Sequence, residues 1–80
     1  MWRDDRVSRE VVVDGARFRV DMAAGMAEAH RLGFDLRIAR GPMVRRGKLA
    51  ILRATGCAIR PGSLEGDQAI VRADLDCAGA

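Results

Sequence analysis

The dipeptide Asp14-Gly15, which lies between two runs of β-prone residues, restricts the fold of this chain more than any other feature. Asp-Gly readily adopts the positive φ angles that a two-residue type I′ turn requires. In the run that follows, apolar side chains such as Phe18 and Val20 alternate with charged ones. Alternation with a period of two is typical of a half-buried strand. Residues 10–20 are therefore predicted to form a β-hairpin.

The next segment has the composition and the end signals of a helix. Residues 22–32 are rich in Ala, Met, Glu and Leu, which favour helices. Asp21 is a suitable N-cap residue, and Gly33 is a suitable C′ residue. A first helix is predicted here, with Gly25 costing about 1 kcal/mol relative to Ala in its interior.

A second helix is predicted over residues 42–55, because Pro42 suits a first helical turn and Gly56 suits a C-terminal cap. At 100° per residue, one broad apolar arc contains Met43, Val44, Gly47, Ala50, Ile51 and Ala54. Leu49 and Leu52 fall outside that arc. They lie among four cations, which are Arg45, Arg46, Lys48 and Arg53.

Three further strands are predicted, over residues 34–40, 57–60 and 69–77. A turn-rich loop separates the last two. The β-branched content near Gly47 leaves open a strand over residues 48–53 in place of the helix. The predicted order is ββαβαββ. Such a mixture predicts a small α+β domain in which two short helices pack on one face of a mainly antiparallel sheet.

Eighty residues leave room for one domain. We predict a flexible lead-in at residues 1–8, a folded domain at 9–77 and a flexible tail at 78–80. Only 4% of the residues are aromatic, so the core is small and aliphatic, and self-association or a partner would reinforce it. The charged start lacks the apolar segment of a signal peptide, and no apolar run reaches the roughly 18 residues of a membrane span. A cytoplasmic location is expected, with export only if a leader is missing from the sequence.

Charge is distributed unevenly along the chain. Residues 37–60 carry seven cations and no carboxylate, whereas residues 61–80 carry one cation and four carboxylates. A segregated basic segment is typical of a surface for an anionic partner, although codon bias in a GC-rich genome would also raise the arginine content. A secondary basic set occupies outward-facing strand positions, namely Arg17, Arg19, Arg37, Arg60 and Arg72. Carboxylates interspersed among them favour cross-strand ion pairs over a binding face.

Residues for catalysis or metal binding are sparse. His30 is the single histidine, and a histidine near a helix end typically interacts with the last carbonyl groups. Cys57, Cys77 and His30 supply at most three ligands, whereas a structural zinc site takes four. No metal, no cofactor and no enzymatic activity are expected. The two cysteines are either free core thiols or a disulfide that closes a loop of about 20 residues.

The sequence therefore predicts a small non-enzymatic protein-interaction module, either a dimer or an accessory subunit or modulator of a larger complex. Its contact surface would be the two leucines and the four cations of the second helix, because apolar residues with an arginine rim are typical of interface hot spots. The first alternative is a small basic nucleic-acid-binding or regulatory protein that contacts phosphates through residues 37–60. The second is a solvated face whose leucines pack under a loop.

Overall fold

The computed structural model describes residues 7–33, 40–67 and 69–77. Its elements are β1 (Val7–Val13), β2 (Ala16–Ala23), β3 (Met26–Leu32), α1 (Arg40–Thr55), β4 (Ala58–Ile59), β5 (Glu65–Gly66) and β6 (Ile70–Asp76). Within these residues the strands form one curled antiparallel sheet in the order β1-β2-β3-β6-β4, and β5 also pairs with β6. One helix, α1, packs against all four long strands on one face of the sheet.

The predicted first hairpin is confirmed. Strands β1 and β2 pair in antiparallel register, and Asp14 and Gly15 alone connect them. Both turn residues have positive φ angles, 51° and 81°. The alternation after the turn places Phe18 and Val20 in the core, where each is 1% exposed.

The helix predicted over residues 22–32 is wrong. This segment forms the end of β2, a second two-residue turn and strand β3. The turn consists of Ala24 and Gly25, with φ angles of 54° and 76°. Alanine rarely adopts a positive φ, so Ala-Gly is a weak turn signal. Strand β3 pairs with a neighbour on each side, and Ala27 and Ala29 in it are completely buried. The free energy gained from this pairing and burial exceeds the small difference in helix propensity.

Two related predictions change with this correction. Asp21 is a residue of β2 and caps no helix, while Gly33 follows β3 with a φ angle of 77°. The strand predicted over residues 34–40 falls outside the described residues except for Arg40, which is the first residue of α1. The order of elements is therefore three strands, one helix and three strands, not ββαβαββ.

The second predicted helix is confirmed as α1, and the alternative strand over residues 48–53 is wrong. Ala50 and Ile51 are fully buried against the sheet. Gly47 lies against β6 with no room for a side chain, because a Cβ atom added there would lie 2.6 Å from Cβ and Cγ2 of Val71. The missing side chain lets the helix backbone lie directly on the strand.

The core is aliphatic, as the composition predicts. Its buried apolar residues are Val13, Phe18, Val20, Ala27, Ala29, Met43, Ala50, Ile51, Ala54, Cys57, Val71, Ala73 and Leu75. The alternation predicted for the last strand is confirmed, since Val71, Ala73 and Leu75 are buried and their neighbours in β6 are exposed. Alanines on both the helix and the sheet allow the two layers to approach closely.

Both ends of the chain extend beyond the described residues. Of the predicted lead-in at residues 1–8, Val7 and Ser8 belong to β1, and residues 1–6 lie outside the described part of the chain, as does the tail at 78–80. In the part that is described, no helix is long and apolar enough to cross a membrane.

The contact between Gly47 and Val71 predicts an unusual response to a helix-favouring substitution. Ala stabilises a helix interior by about 1 kcal/mol relative to Gly, but at this position the new Cβ would overlap Val71. We expect Gly47→Ala to lower the free energy of unfolding by about 1–3 kcal/mol, which is typical of overpacking. Urea denaturation followed by circular dichroism measures the change. Lys48→Ala, at an exposed neighbouring position, is the matched control, and a stabilising Gly47→Ala would contradict the packing.

Candidate interaction surface

The solvent-facing side of α1 is a narrow mixed stripe of two leucines and two cations, which are Arg45, Lys48, Leu49 and Leu52. We call these four residues the helix stripe. At 100° per residue, Arg45 and Leu52 lie nearly opposite the centre of the buried face. Leu49 is half-buried and packs against the edge of the core, whereas Leu52 is half-buried without belonging to the core cluster. Arg45 and Lys48 are exposed and form no hydrogen bond or ion pair within the described part of the chain.

The other two predicted cations of the helix are engaged with the first hairpin. Nη1 of Arg53 donates a hydrogen bond of 2.8 Å to the carbonyl oxygen of Val12. Nε of Arg46 lies 3.8 Å from Oδ2 of Asp14, and this buried nitrogen has no hydrogen-bond partner among the described residues. Sequence alone could not separate these arginines from Arg45, because their roles depend on where the hairpin lies.

Arginines on the sheet face opposite α1 are also paired within the protein. Nε of Arg17 lies 3.0 Å from Oε1 of Glu10, and Nε of Arg19 lies 3.2 Å from Oδ1 of Asp21. These contacts are of the kind expected from carboxylates interspersed among the arginines.

Of the other arginines predicted to form the secondary basic set, the two that the structure describes do not join Arg17 and Arg19 in one patch. Arg72 is exposed and stands between Glu28 and Glu65 in the strand register. Arg60 is exposed in the turn after β4, and Arg37 lies outside the described residues. The four described arginines therefore do not form a continuous basic surface.

Asp21 is a buried carboxylate, 4% exposed, and it is the most enclosed charged group among the residues described on this face. Its Oδ1 accepts a hydrogen bond of 2.6 Å from Oγ of Ser8 and contacts Arg19, and its Oδ2 lies 3.6 Å from Nε2 of His30. The same histidine nitrogen lies 3.3 Å from Oε1 of Glu28. A buried carboxylate requires such partners to offset its lost hydration.

The sequence does not predict this cluster, because residues 22–32, which contain Glu28 and His30, have the composition of a helix. The prediction that His30 interacts with the last carbonyl groups of a helix is therefore wrong. His30 instead faces the carboxylates of Asp21 and Glu28. In a strand, residues two apart such as Glu28 and His30 share a face, whereas in a helix they point in different directions. The alternation of Ala with polar residues from Ala27 to His30 is the signal that could have revealed it.

The geometry of the cluster suits structural stabilisation. Oγ of Ser8 donates to Asp21, whereas nucleophilic catalysis of the Ser-His-Asp type needs a hydrogen bond between the serine and the histidine. Among the described residues, no three His, Cys, Asp or Glu side chains are arranged to hold a metal ion.

The two cysteines form a disulfide, Cys57–Cys77, with an S–S distance of 2.05 Å. The sequence leaves open whether the cysteines are free core thiols or a disulfide, and the structure has the disulfide. Cys57 follows α1 and Cys77 follows β6, so the bond joins the end of the helix to the last strand. It lies next to the register pair Ala58 and Asp76 of β4 and β6.

An apolar groove of about 290 Å³ lies at the end of the sheet near the Ala24-Gly25 turn. Val7, Met22 and Leu75 are among its lining residues, and none of the described residues that line it is charged. The groove is thus distinct in place and in chemistry from the helix stripe.

Comparison of the chain with known protein families, with curated protein sequences and with solved structures finds no match. A function for this chain therefore has to be inferred from its own surfaces. The helix stripe is the candidate site that these surfaces favour, because its cations are left without partners within the described residues.

Loss of charge at Asp21 should destabilise the fold. Asp21→Asn keeps the shape but removes the charged acceptor for Ser8 and Arg19, and hydrogen bonds to charged groups typically contribute 1.5–3 kcal/mol. We expect roughly 2 kcal/mol of lost unfolding free energy in urea titrations. Asp74→Asn, an exposed carboxylate on the same face, should change stability by less than about 0.5 kcal/mol. Equal effects of the two substitutions would show that the cluster contributes nothing specific.

Reduction of the disulfide should also destabilise the protein. The bond links residues 20 positions apart, and the chain-entropy model gives roughly 3 kcal/mol for a loop of this length. We expect that loss when urea unfolding is repeated with dithiothreitol, whereas a Cys57→Ala/Cys77→Ala variant should not respond to the reductant. Thiols that alkylate in the native protein without reductant, detected by mass spectrometry, would be inconsistent with the bond.

Proposed function

We propose that this protein is a small non-enzymatic interaction module that binds another protein through the helix stripe. The observation that supports this proposal is the position of Leu52, which points away from the core between two cations without partners among the described residues. A leucine there contributes little to the protein's own core. A partner that covers it would bury the rest of its apolar surface, which is favourable at about 25 cal/mol per Å².

The chemistry of the stripe indicates the kind of partner. Leu49 and Leu52 offer a small apolar centre, and Arg45 and Lys48 lie beside it. A complementary surface would place an apolar residue against the leucines and carboxylates against the cations. We therefore propose a partner with an acidic rim around an apolar contact, for which this chain acts as an accessory subunit or modulator.

Binding of nucleic acid through the same segment is the alternative proposal, and the contacts of α1 favour it less. Arg46 and Arg53 are engaged with the first hairpin, which leaves Arg45 and Lys48 as the cations of the stripe. Nucleic-acid affinity depends on the number of phosphates that are neutralised, so two cations beside two leucines would bind weakly. Phe18, which could otherwise stack on a base, is 1% exposed.

We also propose that the protein works in an oxidising compartment. Disulfides persist in secreted and periplasmic proteins and are rare in the cytosol. The Cys57–Cys77 bond therefore favours a location outside the cytoplasm, in contrast to the cytoplasmic location expected from the sequence.

A single substitution in the helix stripe tests the proposed function. We expect Leu52→Asp to weaken retention of the native partner at least about tenfold, because it places a charge at the apolar contact. The measurement is quantitative co-purification from the source cells, with light scattering to follow any change in mass. Leu52 is the appropriate position because Leu49 also packs against the core. Ile70→Asp, at an exposed apolar position on the opposite sheet face, is the matched control.

A charge-reversal variant separates protein binding from nucleic-acid binding. If Leu52→Asp has no effect and Arg45→Glu with Lys48→Glu removes salt-dependent retention on nucleic acid, the alternative proposal is right. If neither variant changes retention of the partner or retention on nucleic acid, the helix stripe is a solvated face.

A further inference from the structure

We propose that the outer edge of β1 binds an extended acidic segment of another protein, which adds to the sheet as a further strand. Within the described residues, β1 is the end strand of the sheet and pairs with β2 alone. Its first four residues are exposed, and Val12 is 54% exposed. An exposed edge strand presents backbone groups that can pair with another chain.

The register of the first hairpin identifies the backbone groups that are available. Val13 and Ala16 close a two-residue turn and are hydrogen-bonded to each other. Every second residue of β1, counted back from Val13 towards Val7, therefore directs its N–H and C=O groups to β2. Those of Ser8, Glu10 and Val12 point away from the sheet. The hydrogen bond from Arg53 to the Val12 carbonyl oxygen agrees with this direction, since it arrives from outside β1.

Arg53 limits the length of the free edge. Its guanidinium occupies the Val12 carbonyl, so the end of β1 next to the Asp14-Gly15 turn is closed to a partner strand. No backbone hydrogen bond from another described element reaches Ser8 or Glu10. The available length of edge therefore suits a short segment whose backbone pairs with these two residues.

The charges beside the edge select an acidic segment. Among the described residues, each carboxylate near the edge has an arginine partner, and the pairs are Glu10–Arg17, Asp21–Arg19 and Asp14–Arg46. Arg53 bonds to a neutral carbonyl, and Arg9 is exposed and has no ion pair among the described residues. No carboxylate of the described part of the chain compensates these two positive charges, so carboxylates on the incoming strand would be attracted to both.

The same charges disfavour a second copy of this chain as the occupant. Two copies of β1 related by a two-fold axis would pair in antiparallel orientation. Pairing centred on Glu10 places two glutamates opposite each other, and pairing centred on Arg9 does the same with two arginines. Like charges directly opposite each other destabilise a strand pair.

This inference goes beyond the proposed function, because the edge of β1 and the helix stripe are separate surfaces. Arg53 lies between them on α1. The two proposals can therefore fail independently, and Leu52→Asp should leave strand addition unchanged.

The test uses a fluorescein-labelled seven-residue peptide in which glutamate and valine alternate, with a lysine-for-glutamate peptide as its counterpart. Fluorescence anisotropy with the full-length, disulfide-intact protein should show at least tenfold tighter binding of the acidic peptide. Glu10→Pro removes the outward N–H, a change that edge strands tolerate, and should weaken binding at least tenfold. Glu10→Ala also removes the carboxylate partner of Arg17 but keeps the outward N–H, so it is the matched control and should not weaken binding.

Several outcomes would overturn the proposal. These are no binding of the acidic peptide, equal binding of the two peptides, or equal affinity of Glu10→Pro and Glu10→Ala. A wild-type dimer that Glu10→Pro converts to a monomer in light scattering would make a second copy the occupant instead. If Glu10→Pro does not fold, the test is amide hydrogen exchange of the wild-type protein with and without the acidic peptide. The peptide should then protect the Glu10 amide, and protection confined to other elements would refute strand addition.

Discussion

The contact between Gly47 of α1 and Val71 of β6 sets the position of the helix, and the surfaces of the protein follow from it. With no side chain at Gly47, the helix backbone lies directly on the strand. The contact fixes the rotation of α1 about its own axis, so that Ala50 and Ile51 are buried and Leu52 lies on the side away from the core. The helix stripe is thus a consequence of close helix–sheet packing.

Most charged groups described near the first hairpin serve the fold. Arg46 and Arg53 join the helix to the hairpin, and Asp21 is enclosed by Ser8, Arg19 and His30. A small aliphatic core gains from such links, because few large side chains are available to fix the elements against one another. The arginine-rich segment therefore offers a partner fewer free cations than its composition suggests.

The segment 22–32 shows why the prediction was incomplete. Its Ala, Met and Glu residues favour a helix in isolation, but β3 forms between β2 and β6, where pairing on both edges outweighs propensity. That error also concealed part of the candidate chemistry, because Glu28 and His30 share a face only in a strand. By contrast, the first hairpin, α1 and the last strand were predicted correctly, since each carries its own turn, cap or alternation signal.

Local signals were sufficient to predict the turn at Asp14-Gly15, the helix that ends before Gly56 and the buried alternation of β6, because each signal spans only a few residues. Tertiary contacts determine three further features, which are the strands within residues 22–32, the bond between Cys57 and Cys77, and the contacts of Arg46 and Arg53 with the first hairpin. Each of these depends on residues that are distant in the chain. The physical reason is that local propensities differ by less than about 1 kcal/mol per residue, whereas packing and pairing across the fold contribute more.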